Sequence, residues 1–471
     1  MDKRITAEHS RVVSKKFLPY EPRQTYLLPP SPLEWLPEGH LARFILDLVT
    51  ELDLGRIYRH YERELRGKPP HDPRMMVALL LYGYCSGVTS SRQIEKKTHE
   101  DIAFRVLSGD THPDHVSVSE FRRVHLDALA QLFLQVLRLC QKAGLVKLGH
   151  VALDGTKIKA NASKHKAMSY ERMKESERAL EQKVKALLWQ ARQTDAREDA
   201  EYGKDKRGDE LPAELSRAST RLERLRAAKR ELEEEAKLAH EQAKKKDPSG
   251  GSSSGSQGGS ELPAHRVPSE DDGSPTAKAQ RNFTDPESRI MVDGDGAFVQ
   301  AYNAQIVVDD ATQVIVAQAL TNQPPDTEHA LPLLELARDN CGGVPTRASM
   351  DAGYFSENNV LGLLGLRIDP FIAISRQKHG QPVPIHRGPL PKAMTIKSWM
   401  AYRLSTPDGS AIYRRRKAIV EPVFGQIKQA RGFRRFSLRG THKARGEWAF
   451  VCTAHNLGKL FRYRRTAPTP S

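Results

Sequence analysis

The chain has 471 residues, enough for two or three domains with proper cores. Its 74 Lys and Arg against 58 Asp and Glu give a net charge of +16 and a pI near 9.6, which favours polyanionic partners, and no long apolar run argues for a bilayer span. The four cysteines, Cys85, Cys140, Cys341 and Cys452, lack CxxC spacing and read as ordinary buried thiols rather than disulfides or zinc ligands.

Residues 1–39 are rich in proline (PYEPRQTYLLPPSPLEWLPEG) and read as an extended leader. The opening MDKRITAEHSRVVSKKF lacks the apolar centre of a signal peptide, so a cytoplasmic location is expected. From 40 to 145 the apolar residues fall three or four apart, in HLARFILDLVTELDL, DPRMMVALLLYGYCSG, SSRQIEKKTHEDIAFRVLSG and SVSEFRRVHLDALAQLFLQVLRLCQKAG. Asp72 and Ser117 or Ser119 are the expected helix starts, and Gly87, Gly109 and Gly144 the stops, of an all-helical domain. The last two segments fit either a helix-turn-helix reader of duplex DNA, with Arg92, Lys96, Lys97, Arg122 and Arg123 as contacts, or part of a plain helical bundle.

Within 146–168, LGHVALDGTKIKANASKHK reads as a buried strand that delivers Asp154 at a strand end or turn. An acid on a core strand is costly unless paired or bound to a metal, so Asp154 is a candidate ligand. Residues 169–246 hold two long charged helices, with heptad-like spacing of Leu215, Leu222, Leu225 and Leu232, and read as an inserted arm whose charges are solvated surface. Residues 247–281, DPSGGSSSGSQGGSELPAHRVPSEDDGSPTAKAQ, are expected to form a disordered linker.

The remainder, 282–465, opens with RIMVDGDGAFVQAYNAQIVVDDATQVIVAQALTN, which predicts two or three antiparallel strands around the turn signals DGDG and DDATQ. Asp293, Asp295, Asp309 and Asp310 read as turn residues, and Asp326 as the N-cap of the helix in DTEHALPLLELARDNCGG. PTRASMDAGYFSENNV gives a strand ending at Asp351, followed by a helix and the strand DPFIAIS. Residues 413–465 then carry fifteen Lys or Arg against two acids, Glu421 and Glu447, a net of +13. In YRRRKAIVEPVFGQIKQARGFRRFSLR, Arg414, Lys417, Glu421, Phe424, Lys428 and Arg431 recur at helical steps and are expected to share one face. Glu421 is then either an ion-pair partner of Lys417 on a solvated helix or a metal ligand among cations that hold a polyanion. Two aspartates at strand ends and a helical glutamate can converge beside a sheet and bind hard cations through oxygen.

The motifs VALDGTKIKANAS, MDAGYFS and YRRRKAIVEPVFGQIKQARGFRRFSLRG, with six residues between Glu421 and Lys428, resemble those of the DDE transposases of bacterial insertion sequences. The helical region 40–143 resembles the N-terminal domain of the same enzymes. Two departures stand out: Tyr413 and Arg416 lie one residue further from Glu421 than the family pattern sets, leaving Lys417 where the arginine is expected, and the arm and linker lengthen the interval from Asp154 to Asp351. The resemblance implies an α/β fold, with a ribonuclease H-like catalytic domain (a mixed five-stranded sheet flanked by helices), an all-helical N-terminal DNA-binding domain and the inserted arm. It implies Asp154, Asp351 and Glu421 as catalytic metal ligands for Mg²⁺ or Mn²⁺, two ions, and Arg416, Lys417, Lys428, Arg431, Arg434 and Arg435 as DNA contacts. The implied partner is double-stranded DNA, both element ends and target, bound by a homo-oligomer at the bacterial nucleoid without any membrane. The implied activity is binding of terminal repeats, cleavage and strand transfer; a catalytically silent DNA-binding relative and a ribonuclease H-like nuclease without strand transfer are the alternatives.

Overall fold

The structure, a computed structural model, describes residues 31–62, 69–202, 213–245, 262–375 and 394–466. Residues 1–30 of the expected leader, and 247–261 of the expected linker, lie outside the described residues. Seven helices come first: α1 (Leu41–Glu51), α2 (Gly55–Glu62), α3 (Pro73–Ser86), α4 (Ser91–Glu100), α5 (Ile102–Leu107), α6 (His115–Val124) and α7 (Leu126–Lys142). Capping chemistry sets their ends. Asp72 accepts from the Arg74 amide ahead of Pro73, and Gly87, at φ 82°, stops α3. Asp114 caps α6, so neither Ser117 nor Ser119 does.

The mixed sheet contains β1 (His150–Lys159), β4 (Arg289–Val292), β5 (Phe298–Asp309), β6 (Ile315–Thr321), β7 (Arg347–Met350) and β8 (Asp369–Ile372); β2 (Ala167–Ser169) and β3 (Gln280–Asn282) pair separately. β5 is antiparallel to β1, and its other edge is shared in succession by β4 and β6. β7 lies parallel to β1, and β8 parallel to β7. Six strands therefore fill five positions, the mixed sheet expected of a ribonuclease H-like domain.

Between β2 and β3 the chain makes the antiparallel pair α8 (Tyr170–Tyr202) and α9 (Ala213–Lys245). Leu215, Leu222, Leu225 and Leu232 are all buried. Not all of the arm's charge is free surface: Glu177 pairs with Arg226 and Lys229 across the two helices, and Glu235 pairs with the buried Arg281 and Arg289. The part of the expected linker from 262 onward is ordered, which corrects the sequence reading. Val267 and Ala279 pack with Tyr170, Met173, Leu225, Leu232 and Ala236, and residues 280–282 form β3. A few apolar residues docking on α9 outweigh a composition rich in Gly, Ser and Pro.

The remaining helices are α10 (Ala330–Cys341), α11 (Glu357–Gly365), α12 (Ile396–Ser405), α13 (Pro407–Gly425) and α14 (Thr441–Thr466). α14 packs against α3, α7 and β6, so the helical region and the sheet share one hydrophobic core running from Leu36 to Leu460. A buried polar knot crosses that junction. Tyr84 Oη bonds Glu447 Oε1 at 3.3 Å, Arg122 Nη1 donates to Tyr84 Oη at 3.2 Å, and Glu447 Oε2 accepts the amides of Ser437 and Leu438. Arg122 is thus an internal counter-charge for Glu447, not a DNA contact. Among the described residues no helix is long and apolar enough to cross a membrane, and the four cysteines are free.

Arg122→Met leaves Glu447 buried without its counter-charge and is expected to cost about 3–5 kcal/mol. Urea unfolding of the two proteins measures this; a loss below about 1 kcal/mol would show that the knot does not join the two regions.

Candidate active site

Asp154 stands in the middle of β1, not at a strand end, because the pairing with β5 continues unbroken to Lys159. Its Oδ1 accepts the Gly155 amide at 2.8 Å and its Oδ2 accepts Arg416 Nη1 at 3.0 Å. Burial pushes the Asp154 carboxyl up to about 6 against the pull of Arg416, and Asp351 and Asp326 push in the same direction as burial. Asp351 follows β7 directly and accepts the Gly353 amide at 2.9 Å, capping the short 3₁₀ turn Ala352–Tyr354.

Arg416 comes from α13, which lies across β1, β7 and β8. Tyr413, one turn earlier, stacks beside the guanidinium at 6.0 Å. The departure seen in the sequence therefore resolves in favour of Arg416, since Lys417 is exposed and Arg416 reaches the carboxylate. Arg416 is buried, with its charge held by Asp154, which corrects its assignment as a DNA contact.

Pro422 interrupts α13 and has no amide to offer the Ala418 carbonyl; Gln313 Nε2 donates to that oxygen at 2.9 Å instead. Beyond it the chain makes a π turn, Gln426–Ala430, with the Arg431 amide bonded to the Gln426 carbonyl. That wider turn breaks the expected single face. Lys428 folds back on β1, donating to Thr156 Oγ1 and, at 3.1 Å, to the Lys157 carbonyl. Arg431 is half-buried and turns inward against α3 and α14, with its carbonyl beside Gly87 and its Nη2 near Gly458. Lys417, Arg434 and Arg435 remain exposed.

The sequence reading missed Asp326. Its side chain makes no capping bond; instead Oδ1 accepts from Asn303 Nδ2 at 2.6 Å, Gln305 Nε2 at 2.7 Å and Lys157 Nζ at 3.3 Å. A Cβ built on Gly353 would lie 3.1 Å from Asp351 Oδ1 and 3.5 Å from Asp326 Oδ2, so the two carboxylates flank this glycine. The available signal was in β5, where Asn303 and Gln305, two apart in an otherwise apolar run, place two polar side chains on one buried face.

The structure brings together Asp154, Asp351 and Asp326, with Lys157 and Arg416 as their cations. Glu421 lies exposed on α13, five residues past Arg416, or about 7.5 Å along the axis. Among the described residues no three His, Cys, Asp or Glu side chains are close enough together to hold one metal ion. The donor chemistry nevertheless fits a hard divalent cation: carboxylate oxygens, a near neighbour pair in Asp351 and Asp326, and on Asp154 an oxygen that now accepts from a guanidinium.

A family model described as Transposase domain (DUF772) matches residues 30–124, and one described as Transposase DDE domain matches residues 273–457. The second takes in Asp326, Asp351 and Glu421; β1 with Asp154, and the arm, lie between the two matches. No curated protein and no solved structure matches the chain.

Gly155 faces Gln305, and a Cβ there would lie 2.8 Å from the Gln305 Cδ and 3.1 Å from Asn303 Oδ1. Gly155→Ala is expected to displace the amides that hold Asp326 and to cost about 1–3 kcal/mol. An unchanged melting temperature, with unchanged activity, would show that this amide pair is not under packing constraint.

Proposed function

Because the chain belongs to the DDE transposases of the insertion-sequence type, we propose that it binds the terminal repeats of its element, cleaves the phosphodiester at each end and joins the freed 3′-hydroxyl to target DNA. It does so as a homo-oligomer assembled on double-stranded DNA at the nucleoid. The observation that carries this reading is the placing of α13, which bears Glu421, across the two strands that present Asp154 and Asp351.

Asp154, Asp351 and Glu421 would hold Mg²⁺ or Mn²⁺, two ions. When bound, such ions activate the attacking oxygen and neutralise charge on the leaving one. The protein's own residues prepare the site. Arg416 favours the ionised form of Asp154 in its buried position. Lys157 and the two amides fix Asp326 through its Oδ1. Lys428 holds β1 two residues further on, at Thr156, and the exposed Lys417, Arg434 and Arg435 meet the phosphate backbone.

The test is cleavage and joining of a supercoiled plasmid carrying the element ends, in Mg²⁺ or Mn²⁺ against EDTA. Metal-dependent cutting followed by joining is expected, with Glu421→Gln lowering it by more than about 100-fold. Binding without cutting would favour the silent relative, and cutting without joining the nuclease. Asp154 must lose its proton to bind a metal, so divalent-ion affinity is expected to fall as pH drops through about 6, on the order of tenfold per unit below it. Calorimetric Mn²⁺ titration at pH 5 and pH 7.5 measures this, and equal affinities would remove Asp154 from the ligand set.

A further inference from the structure

The basic segment after the π turn does not project into solvent as a free tail. It runs alongside the end of β1: the Lys159 amide bonds the Arg434 carbonyl, the Phe436 amide bonds the Lys159 carbonyl, Asn161 Nδ2 bonds the Ser437 carbonyl, and Arg439 Nε bonds the Asn161 carbonyl. Two stretches far apart in sequence, KIKANASKHK and RGFRRFSLR, are thereby joined side by side. Between them and the β4–β5 hairpin lies an open groove of about 650 Å³. Lys159, Lys164, Lys166, Arg435 and Arg439 line it, all exposed, and none forms an ion pair with another described residue. Among the described residues no acid lines the groove.

The hairpin wall carries Phe298, which is 65 % exposed and sits opposite Val292, itself 50 % exposed. Asp293 accepts the amides of Asp295 and Ala297 and so fixes the turn that presents the pair. An aromatic ring held on a rigid hairpin over unpaired cations has the chemistry of a base-stacking contact beside a phosphate track. Along β1, Lys159 is five residues from Asp154, about 17 Å at strand rise, which equals about five nucleotides of one strand of B-form DNA.

We propose that this groove holds the DNA backbone about five base pairs from the bond being cut, through Lys159, Lys164, Lys166, Arg435 and Arg439, and that Phe298 stacks on a base displaced there. The groove adds to the expected DNA contacts four residues, Lys159, Lys164, Lys166 and Arg439, and it deepens the transposase reading, on which it rests. It commits to duplex DNA because five exposed cations gathered from two stretches of chain line the groove beside an exposed aromatic ring, the charge and stacking chemistry that a phosphate backbone with its bases requires.

The experiment uses the full chain and a labelled 30-base-pair duplex of arbitrary sequence, with anisotropy read from 50 to 300 mM salt. Lys164→Ala, Lys166→Ala and Arg435→Ala combined are expected to reduce the slope of log affinity against log salt by about 2.7, at about 0.9 per lost phosphate contact. The charge-preserving combination Lys164→Arg, Lys166→Arg and Arg435→Lys is expected to keep the slope, which separates lost contacts from lost folding. An unchanged slope in the alanine combination, with the wild type still binding, overturns the groove and leaves the transposase reading intact. No binding of any duplex by the wild type would count against that reading itself. For Phe298, a pre-nicked duplex carries 2-aminopurine five positions from the nick: fluorescence that changes with the wild type but not with Phe298→Ala supports stacking, and equal responses overturn it.

Discussion

A carboxylate in the middle of a core strand must be compensated, and much of the sheet and its covering helix α13 is arranged around doing so for Asp154. Removing such a group from water costs several kcal/mol unless a counter-charge is supplied with good geometry. Arg416 supplies it at 3.0 Å, and to bring Arg416 there α13 has to lie across β1, β7 and β8. Twelve residues later Lys428 grips the same strand at Thr156 and Lys157. The segment that bears Glu421 is therefore held to β1 by a cation on each side of it, although Pro422 and the π turn have both loosened its own ladder of hydrogen bonds.

Much of this was legible in the sequence. Apolar periodicity and turn residues located the strands from Arg289 to Thr321 and the strand before Asp351, because local pattern and tertiary position agree there. The three motifs identified the family. What escaped was whatever depends on partners distant in the chain. Asp154 looked like a strand end because a glycine follows it, yet Gly155 is there to admit Gln305 rather than to turn the chain. Asp326 looked like a cap because it precedes a helix, but its partners are on β1 and β5. Arg416 looked like surface charge because composition cannot say which arginines in a basic run turn inward.

The same limit explains residues 262–281. Their composition is that of a solvated linker, and it is apolar contacts with α8, α9 and the main core, through Val267, Ala279 and Leu262, that make it favourable to order residues 262–281. Arg281 and Arg289 then carry the connection further, setting buried guanidinium groups against Glu235 on the arm. The arm is thus bound to the mixed sheet by charge as well as by apolar packing, at its base.

That base has a bearing on how the chain finds its fold. Lys159 and Ala301 are neighbours in the central strand pair but stand 142 residues apart in sequence. Once α8 and α9 have zipped together and β2 has paired with β3, the gap left to close is only about 28 residues, which lowers the closure entropy by on the order of 1 kcal/mol. The long segment between β2 and β3 therefore leaves the pairing of β1 with β5 nearly local, provided that the helical hairpin forms first.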